Sequence, residues 1–155
     1  MDDFEMDYDP NNSFHRKALA LDLKATLLGL GLVPQERTGT REMVFCRPSS
    51  RLPRTQLQVF TSIVDDEVRD LGSDSIKVCV TYDRTDGGTR GILKEARVFR
   101  TGQIEEIPER LVNRIHAAIK ELKALRSCDR CGSPMLVAKS GKPYCADACW
   151  NHKGS

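Results

Sequence analysis

Residues 75–83 read SIKVCVTYD, and this stretch decides the fold class more clearly than any other. Its larger apolar side chains, Ile76, Val78, Val80 and Tyr82, alternate with Lys, Cys and Thr. Because successive side chains of a strand point to opposite faces of a sheet, this alternation predicts a strand with one dry and one wetter face. Such strands are typical of an antiparallel sheet that is covered on one side only.

Three further segments are predicted to be strands of the same sheet. The segment 56–64 (QLQVFTSIV) alternates in the same way, with one face formed by the odd-numbered positions from Leu57 to Ile63. A strand within residues 40–47 precedes it, and a less regular strand lies within residues 91–100. The turn sequence Asp86-Gly87-Gly88 comes just before that last strand.

Two helices flank the strands. The first is predicted over about Phe14 to Leu30, with Ser13 as its cap. The second is predicted to be about 18 residues long, with Pro108 near its first position, and to end near Arg126. The apolar stripe of the first helix comprises Ala20, Leu23, Leu27 and Leu30, widened by Leu21 and Leu28; that of the second comprises Ile107, Leu111, Ile115, Ile119 and Leu122. The order α-β-β-β-β-α predicts an α+β domain with both helices on the dry face of an antiparallel sheet.

Charge and cysteine content divide the chain into three parts. Residues 1–12 are predicted to be a disordered acidic tail, residues 13–126 the α+β domain, and residues 127–155 a small metal-binding module. The whole chain has a net charge of +2, but its first ten residues hold five acids and no base. The rest therefore holds 24 basic and 17 acidic residues, a net charge of +7. The tail is interpreted as a solvated end, or as a screen for a basic surface.

Four cysteines predict the metal. They follow the spacing Cys128-x2-Cys131-x13-Cys145-x3-Cys149, two close pairs around a short spacer, which suits one tetrahedral Zn²⁺. Gly132 favours a tight turn after the first pair, and Gly141 favours a hairpin turn in the spacer. His152 is an alternative to Cys149 as the fourth ligand. A site with four protein ligands has no open position and is structural rather than catalytic.

The module resembles the C-terminal zinc ribbon of bacterial type I DNA topoisomerases. The matching residues are Cys128-x2-Cys131-Gly132-x-Pro134-Met135 and Gly141-Lys142-x-Tyr144-Cys145. Such ribbons look like binders of single-stranded DNA with an aromatic residue next to the third cysteine. The resemblance therefore implies that Tyr144 stacks on a base and that Lys142 contacts a phosphate. The shorter spacer and the final Cys-x3-Cys pair, followed by Trp150, depart from that family's pattern.

Two groups of arginines predict a nucleic-acid interface in the main domain. Arginine forks suit phosphate groups, and basic loops at adjacent hairpins can form a groove for a single strand. The alternative is that these residues are solvated hairpin tips. The first group, in a loop broken by Pro48 and Pro53, comprises Arg37, Arg41, Arg47, Arg51 and Arg54; from the second group, near the Gly87-Gly88 turn, Arg84 and Arg90 are the candidate contacts.

The combined expectation is a small cytoplasmic protein that binds single-stranded DNA or RNA and carries one structural Zn²⁺. A protein-binding adaptor or inhibitor that uses the zinc module and the sheet is the alternative. A weaker one is a metal-dependent nuclease that uses the acids from Asp65 to Asp74. No catalytic motif is recognised, so no enzyme is predicted. Paired cysteines that bind metal favour a reducing compartment, and no apolar run is long enough to span a membrane.

Overall fold

A computed structural model describes residues 6–35, 41–84 and 90–146, and these residues form an α+β fold. The described elements, in chain order, are α1 (Ser13–Gly29), β1 (Val33–Gln35), β2 (Val44–Pro48), β3 (Thr55–Phe60), β4 (Ile63–Val64), β5 (Glu67–Val68), β6 (Ser75–Tyr82), β7 (Gly91–Phe99), α2 (Glu106–Ala124), β8 (Met135–Val137) and β9 (Pro143–Cys145). Strands β1, β2, β3, β6 and β7 form the main sheet, while β4–β5 and β8–β9 are separate hairpins.

The main sheet has five strands in the order β1-β2-β3-β6-β7, and each neighbouring pair is antiparallel. The antiparallel prediction is therefore confirmed, whereas the expected number of about four strands was too low. The additional strand is β1, which pairs Val33 with Cys46 and Gln35 with Val44. Three residues are too few to show alternation, and Pro34 fits in β1 because an edge strand tolerates a missing N–H donor.

The segment predicted as one strand over residues 56–64 is broken in two. Strand β3 ends at Phe60, and Ser62 has a φ of 61°. Asp65 and Asp66, with φ of 54° and 64°, form the turn of the β4–β5 hairpin, because two consecutive positive φ values suit a two-residue hairpin turn. Ile63 is fully buried as predicted, but burial does not alternate through the break, because Thr61 and Ser62 are buried as well.

Helix α1 buries a stripe that differs in part from the predicted one. Ala20, Leu23 and Leu27 are fully buried as predicted, and Leu19 joins them. Leu21 and Leu28, which were expected to widen the stripe, are 64% and 54% exposed. The helix is also capped one residue earlier than predicted. The side chain of Asn12 accepts hydrogen bonds from the backbone N–H groups of residues 14 and 15, at 2.9 and 3.2 Å.

Helix α2 packs with α1 on one face of the sheet. Its buried residues belong to one apolar cluster with those of α1 and with Leu57, Val59, Ile76, Val78 and Val80 of the strands. The predicted positions Ile107, Leu111, Ile115 and Leu122 are buried, and Ile119 packs against the cluster. Pro108 is the third helical residue rather than the first.

Part of the acidic segment packs against the main domain. Residues 1–5 lie outside the described ranges, but Asp7 forms a bridge with Gln103 and the N–H of Tyr8 donates to the carbonyl of Gly102 at 2.7 Å. The Tyr8 side chain belongs to the apolar cluster. Residues 6–12 are therefore a packed strap, where the sequence predicted disorder.

Candidate metal centre and basic cleft

Three of the four predicted metal ligands meet at one point. The Sγ atoms of Cys128, Cys131 and Cys145 all lie within 4.8 Å of one another, and those of Cys131 and Cys145 are 3.5 Å apart. These separations are too long for a disulfide bond. They fit thiolates around one tetrahedral ion, for which metal–sulfur bonds of about 2.3 Å give sulfur–sulfur distances of about 3.8 Å. This group of three cysteines could therefore hold a metal ion.

A turn and a hairpin bring the cysteines together. In the turn, the N–H of Gly132 donates to the carbonyl of Cys128 at 2.8 Å, and Gly132 has a φ of 78°. Strands β8 and β9 then return the chain so that Cys145 pairs with Met135. The hairpin turn contains Gly141, with a φ of 87°. The turn and hairpin thus follow the predicted arrangement around the two glycines.

The module is docked against the main domain. The Tyr82 hydroxyl donates to the carbonyl of Ala146 at 2.8 Å, and the Arg54 guanidinium donates to Oγ of Ser133. A Cβ at Gly132 would lie 3.1 Å from Cγ of Pro53, so the backbone of the turn lies close to the loop between β2 and β3. The module is therefore attached at the end of β6 and at the β2–β3 loop, as well as through the chain after α2.

The fourth ligand lies outside the described part of the chain. Cys149 and its alternative His152 both belong to residues 147–155, as does Trp150. Cys128 and Cys145 are buried and Cys131 is half-buried. A metal held by these three sulfurs would thus be largely shielded from solvent.

A small basic cleft lies between the β2–β3 loop and the end of α2. Its volume is about 160 Å³. Arg47, Arg51 and Lys123 supply its charged side chains, and Ser49 and Ser50 its hydroxyl groups. None of the described residues that line it is acidic. Such a set of donors suits an anion with several oxygens, such as a phosphate group.

The arginines of this loop also hold the fold together. Arg51 donates from Nη2 to the carbonyls of Leu122 and Lys123, at 3.1 and 3.0 Å, and also to that of Leu125. Arg47 donates to the carbonyl of Leu30 at 3.1 Å. Arg51 therefore satisfies the open carbonyls at the C-terminus of α2, a role in which a cation is favoured.

A second cleft, of about 330 Å³, lies on the module itself. Its lining includes Arg126 and Arg130, together with the metal-site residue Cys128 and one acid, Asp129. Arg126 follows Lys123 of the basic cleft by three positions. Neither these two arginines nor Lys123 was singled out from the sequence as a nucleic-acid contact. The sequence does contain a pattern that could have indicated these contacts. Basic residues recur at intervals of three and four at Lys120, Lys123, Arg126 and Arg130.

The other predicted contacts are spread over the surface. Arg41, Arg84 and Lys142 are exposed, and Tyr144 on β9 is 36% exposed. Arg90 pairs with Asp83 at 2.6 Å and lines a trough on the sheet face opposite the helices. Arg47 and Arg51 of the first group thus line a cleft beside α2, whereas Arg90 of the second group lies on the opposite face of the sheet. Arg37 lies outside the described residues.

Two of the acids from Asp65 to Asp74 form ion pairs with α1. Lys24 pairs with Asp66 at 2.7 Å and Arg16 pairs with Glu67 at 3.2 Å. Within residues 6–35, 41–84 and 90–146, the group of metal-ligating side chains that come together is formed by cysteines alone. The hairpin acids therefore hold β4–β5 against α1.

Two cysteines outside the metal group lie on the sheet. Cys46 and Cys79 are buried and unpaired by disulfides, and Cys46 donates to Oε1 of Gln56 at 2.8 Å. Burial raises the pKa of both thiols. They are therefore held as neutral thiols, which are poor nucleophiles.

The chain was compared with protein-family models, curated proteins and solved structures, and none of them matches. The likeness of the module to topoisomerase ribbons thus rests on the motif residues. In the portion of the chain covered by the structure, neither helix is both long and apolar enough to traverse a bilayer.

Proposed function

We propose that the protein binds single-stranded nucleic acid, with the basic cleft as its main phosphate site. The observation that carries this proposal is the lining of that cleft: three basic side chains and two hydroxyls, with no described acid among them. Backbone phosphates supply most of the affinity of non-specific nucleic-acid binding, and such contacts need only positive charge and hydrogen-bond donors.

The metal module extends this surface. Arg126 and Arg130 line the neighbouring cleft, and the resemblance to topoisomerase ribbons assigns base stacking to Tyr144 and a phosphate contact to Lys142. Stacking on an exposed aromatic ring requires an unpaired base, which is why a single strand is favoured over a duplex. The strand would thus run from the basic cleft to the module.

We infer that the ion is Zn²⁺ and that Cys149 completes the site. Thiolates select Zn²⁺ among the common divalent ions, and a site with four thiolates is structural. Elemental analysis of the purified chain tests the metal. Cys149→Ser should lower the zinc content, and His152→Ala should leave it unchanged; the reverse result would assign the fourth position to His152.

The binding proposal is tested by fluorescence anisotropy with a labelled single-stranded oligonucleotide across a salt titration. Lys123→Glu should weaken binding at every salt concentration and reduce the slope of log affinity against log salt by about one or more. Lys120→Glu is the matched control, because it makes the same charge change on the same helix at an exposed residue outside both clefts.

Either of two results would overturn the proposal. One is an absence of binding to the oligonucleotide at low salt. The other is an equal effect of the two substitutions, since this would show that only the net charge matters.

Protein binding is the second candidate, favoured by one feature of the module. Val137 on the β8–β9 hairpin is 72% exposed, and Tyr144 on the paired strand is 36% exposed. An adaptor that uses this hairpin would keep its partner after nuclease treatment and lose it in Val137→Asp. Val137→Asn, which is polar but adds no charge beside Lys142, should also lose the partner and should leave oligonucleotide affinity almost unchanged.

A further inference from the structure

Strand β7 forms one edge of the main sheet and is long. It runs for nine residues, whereas β1 at the other edge has three. No strand pairs with its outer side among the residues that the structure describes. An edge strand presents backbone N–H and C=O groups that can pair with another strand, and proteins usually shorten or interrupt such edges.

The second half of β7 contains neither a proline nor a bulge, although three of its residues are charged. Residues 94–99 pair in regular register with residues 75–80 of β6, and the irregularity of the pairing lies beyond them, between Val80 and Thr81. Lys94 lies on the helix side of the sheet, where a lysine can protect an edge strand from pairing. Its Nζ lies 3.8 Å from Oε2 of Glu121 of α2, so the two side chains form an ion pair. Residues 94–99 are therefore six consecutive residues that could pair with another strand.

We propose that two copies of this chain join through antiparallel pairing of their β7 strands, which makes one continuous ten-stranded sheet. Opposite residues of a continuous sheet share a face, so the two-fold axis must pass at a residue of β7. An axis at Glu95 or at Arg97 would place that residue opposite its own copy. An axis at Ala96 places Glu95 of each copy opposite Arg97 of the other.

The register centred on Ala96 places opposite charges across from each other. Glu95 and Arg97 point to the sheet face away from the helices, because they pair with Cys79 and Lys77. Opposite charges directly across an antiparallel pair stabilise it, and like charges destabilise it. The β7 sequence thus favours one self-pairing over the registers two residues away.

The same register covers exposed apolar side chains. Ile92 and Phe99, at the two ends of β7, are 60% and 51% exposed. In an antiparallel pair centred on Ala96, Phe99 of each copy lies alongside the Ile92–Leu93 end of the other. Apolar surface is therefore removed from water at both ends of the shared strand pair.

The test is sedimentation equilibrium of nuclease-treated protein over a wide concentration range. We expect a dimer for the wild type. Glu95→Arg and Arg97→Glu should each weaken the dimer at least tenfold, because each places like charges opposite each other twice. An equimolar mixture of the two variants, and the double variant, should both dimerise again, since every opposing pair then regains opposite charges.

Controls separate this interface from general charge effects. Glu109→Arg makes the same charge change at an exposed position of α2 and should leave the dimer intact. Ala96→Cys should form a disulfide-linked dimer under mild oxidation, because the axis places the residue opposite its own copy. Asp22→Cys on the exposed side of α1 should not.

A monomeric wild type over the whole range would overturn the proposal, and the edge would then be open to a strand from a different protein. A dimer that ignores both charge reversals, or that fails to crosslink through Ala96→Cys, would overturn this interface. None of these readouts depends on nucleic acid, so they are independent of the oligonucleotide measurements.

Discussion

Among the described glycines, Gly91 leaves the least room for a side chain. A Cβ at this position would lie 2.2 Å from Cε1 and 2.4 Å from Cζ of Tyr82. The Tyr82 ring cannot simply move away, because it is buried and its hydroxyl holds the carbonyl of Ala146. The first residue of β7 is therefore a glycine for steric reasons.

Gly91→Ala should lower the free energy of unfolding by about 1–3 kcal/mol, since overpacking displaces the Tyr82 ring. Chemical denaturation followed by circular dichroism measures the change. Gly29→Ala is the control, because no atom packed from elsewhere in the described chain lies within 4 Å of a Cβ there. It should raise the free energy of unfolding by about 0.4–1 kcal/mol. Equal stability of Gly91→Ala and wild type would show that the Tyr82 ring relaxes freely.

The buried thiols of Cys46 and Cys79 give a second prediction at this scale. Because burial raises their pKa, the reactive thiolate form becomes populated only at a higher pH than in an exposed cysteine. Alkylation of the folded protein at neutral pH, read by peptide mass spectrometry, should therefore be slow at both. The same reagent should modify both rapidly in denaturant. Fast modification of either thiol in the folded protein would contradict the burial described for it.

At the scale of elements, the end of α2 depends on a residue from a distant loop. Arg51 donates to carbonyls of the last turn, about seventy positions away along the chain. The guanidinium is planar and offers several donors, so it can serve more than one carbonyl. This capping role connects the basic cleft to the helix that forms its other wall.

Arg51→Met should destabilise the protein by about 1–3 kcal/mol, because it leaves helix-end carbonyls without a charged donor. The stability of Arg51→Lys should lie between those of the wild type and Arg51→Met, because lysine keeps the charge and loses the planar set of guanidinium donors. The exposed Arg41, replaced by Met, is the matched control. Thermal unfolding of the wild type and the three variants measures these differences. Equal losses of stability in Arg41→Met and Arg51→Met would mean that the capping by Arg51 contributes nothing.

The elements show how far the sequence predicts the structure. Alternation in residues 75–83 predicts β6, but the face expected to be wetter buries Cys79 and Thr81. The spacing of Ile107, Leu111 and Ile115 predicts α2. Strand β1 is missed because three residues carry no periodicity. Arg51 is interpreted as a phosphate contact from the loop sequence, because its capping partners are brought near only by the tertiary fold. The break at Ser62 is missed because the apolar alternation of the sequence continues across it to Ile63.

For the whole molecule, we expect the metal module to fold as a unit of its own, attached to the main domain. Within the described part of the chain, the apolar cluster that joins both helices and the sheet contains no residue beyond Leu122, and of the later described residues only Leu125 packs against it. The module has its own small hairpin and its three gathered cysteines. Metal binding therefore contributes to the folding of the module rather than to the main core.

Cys128→Ser, or treatment with a chelator, should unfold residues 127–146 and leave the main sheet intact. Hydrogen–deuterium exchange read by mass spectrometry should show lost protection in the module and unchanged protection in β3 and β6. Cys46→Ser is the control, because that thiol lies on the sheet and outside the metal group. Loss of protection in β3 and β6 after chelation would mean that the two parts unfold as one.

The candidate site was predictable to different extents in its two parts. Cysteine spacing and the two glycines predict the metal-binding turn, because local geometry alone brings Cys128 and Cys131 together. The basic cleft is not predictable in the same way. It combines the β2–β3 loop with Lys123, and only the packing of α2 on the sheet brings these residues together.

The docking of the module also has a consequence for how the protein is made. Arg54 and Tyr82, which receive the module, lie in parts of the chain that leave the ribosome before Cys128 does. All members of the main apolar cluster are likewise synthesised earlier. Domains tend to fold as units in order of synthesis. We therefore expect the receiving surface to fold before, or together with, the capture of the metal, and a shortage of metal to leave the core folded.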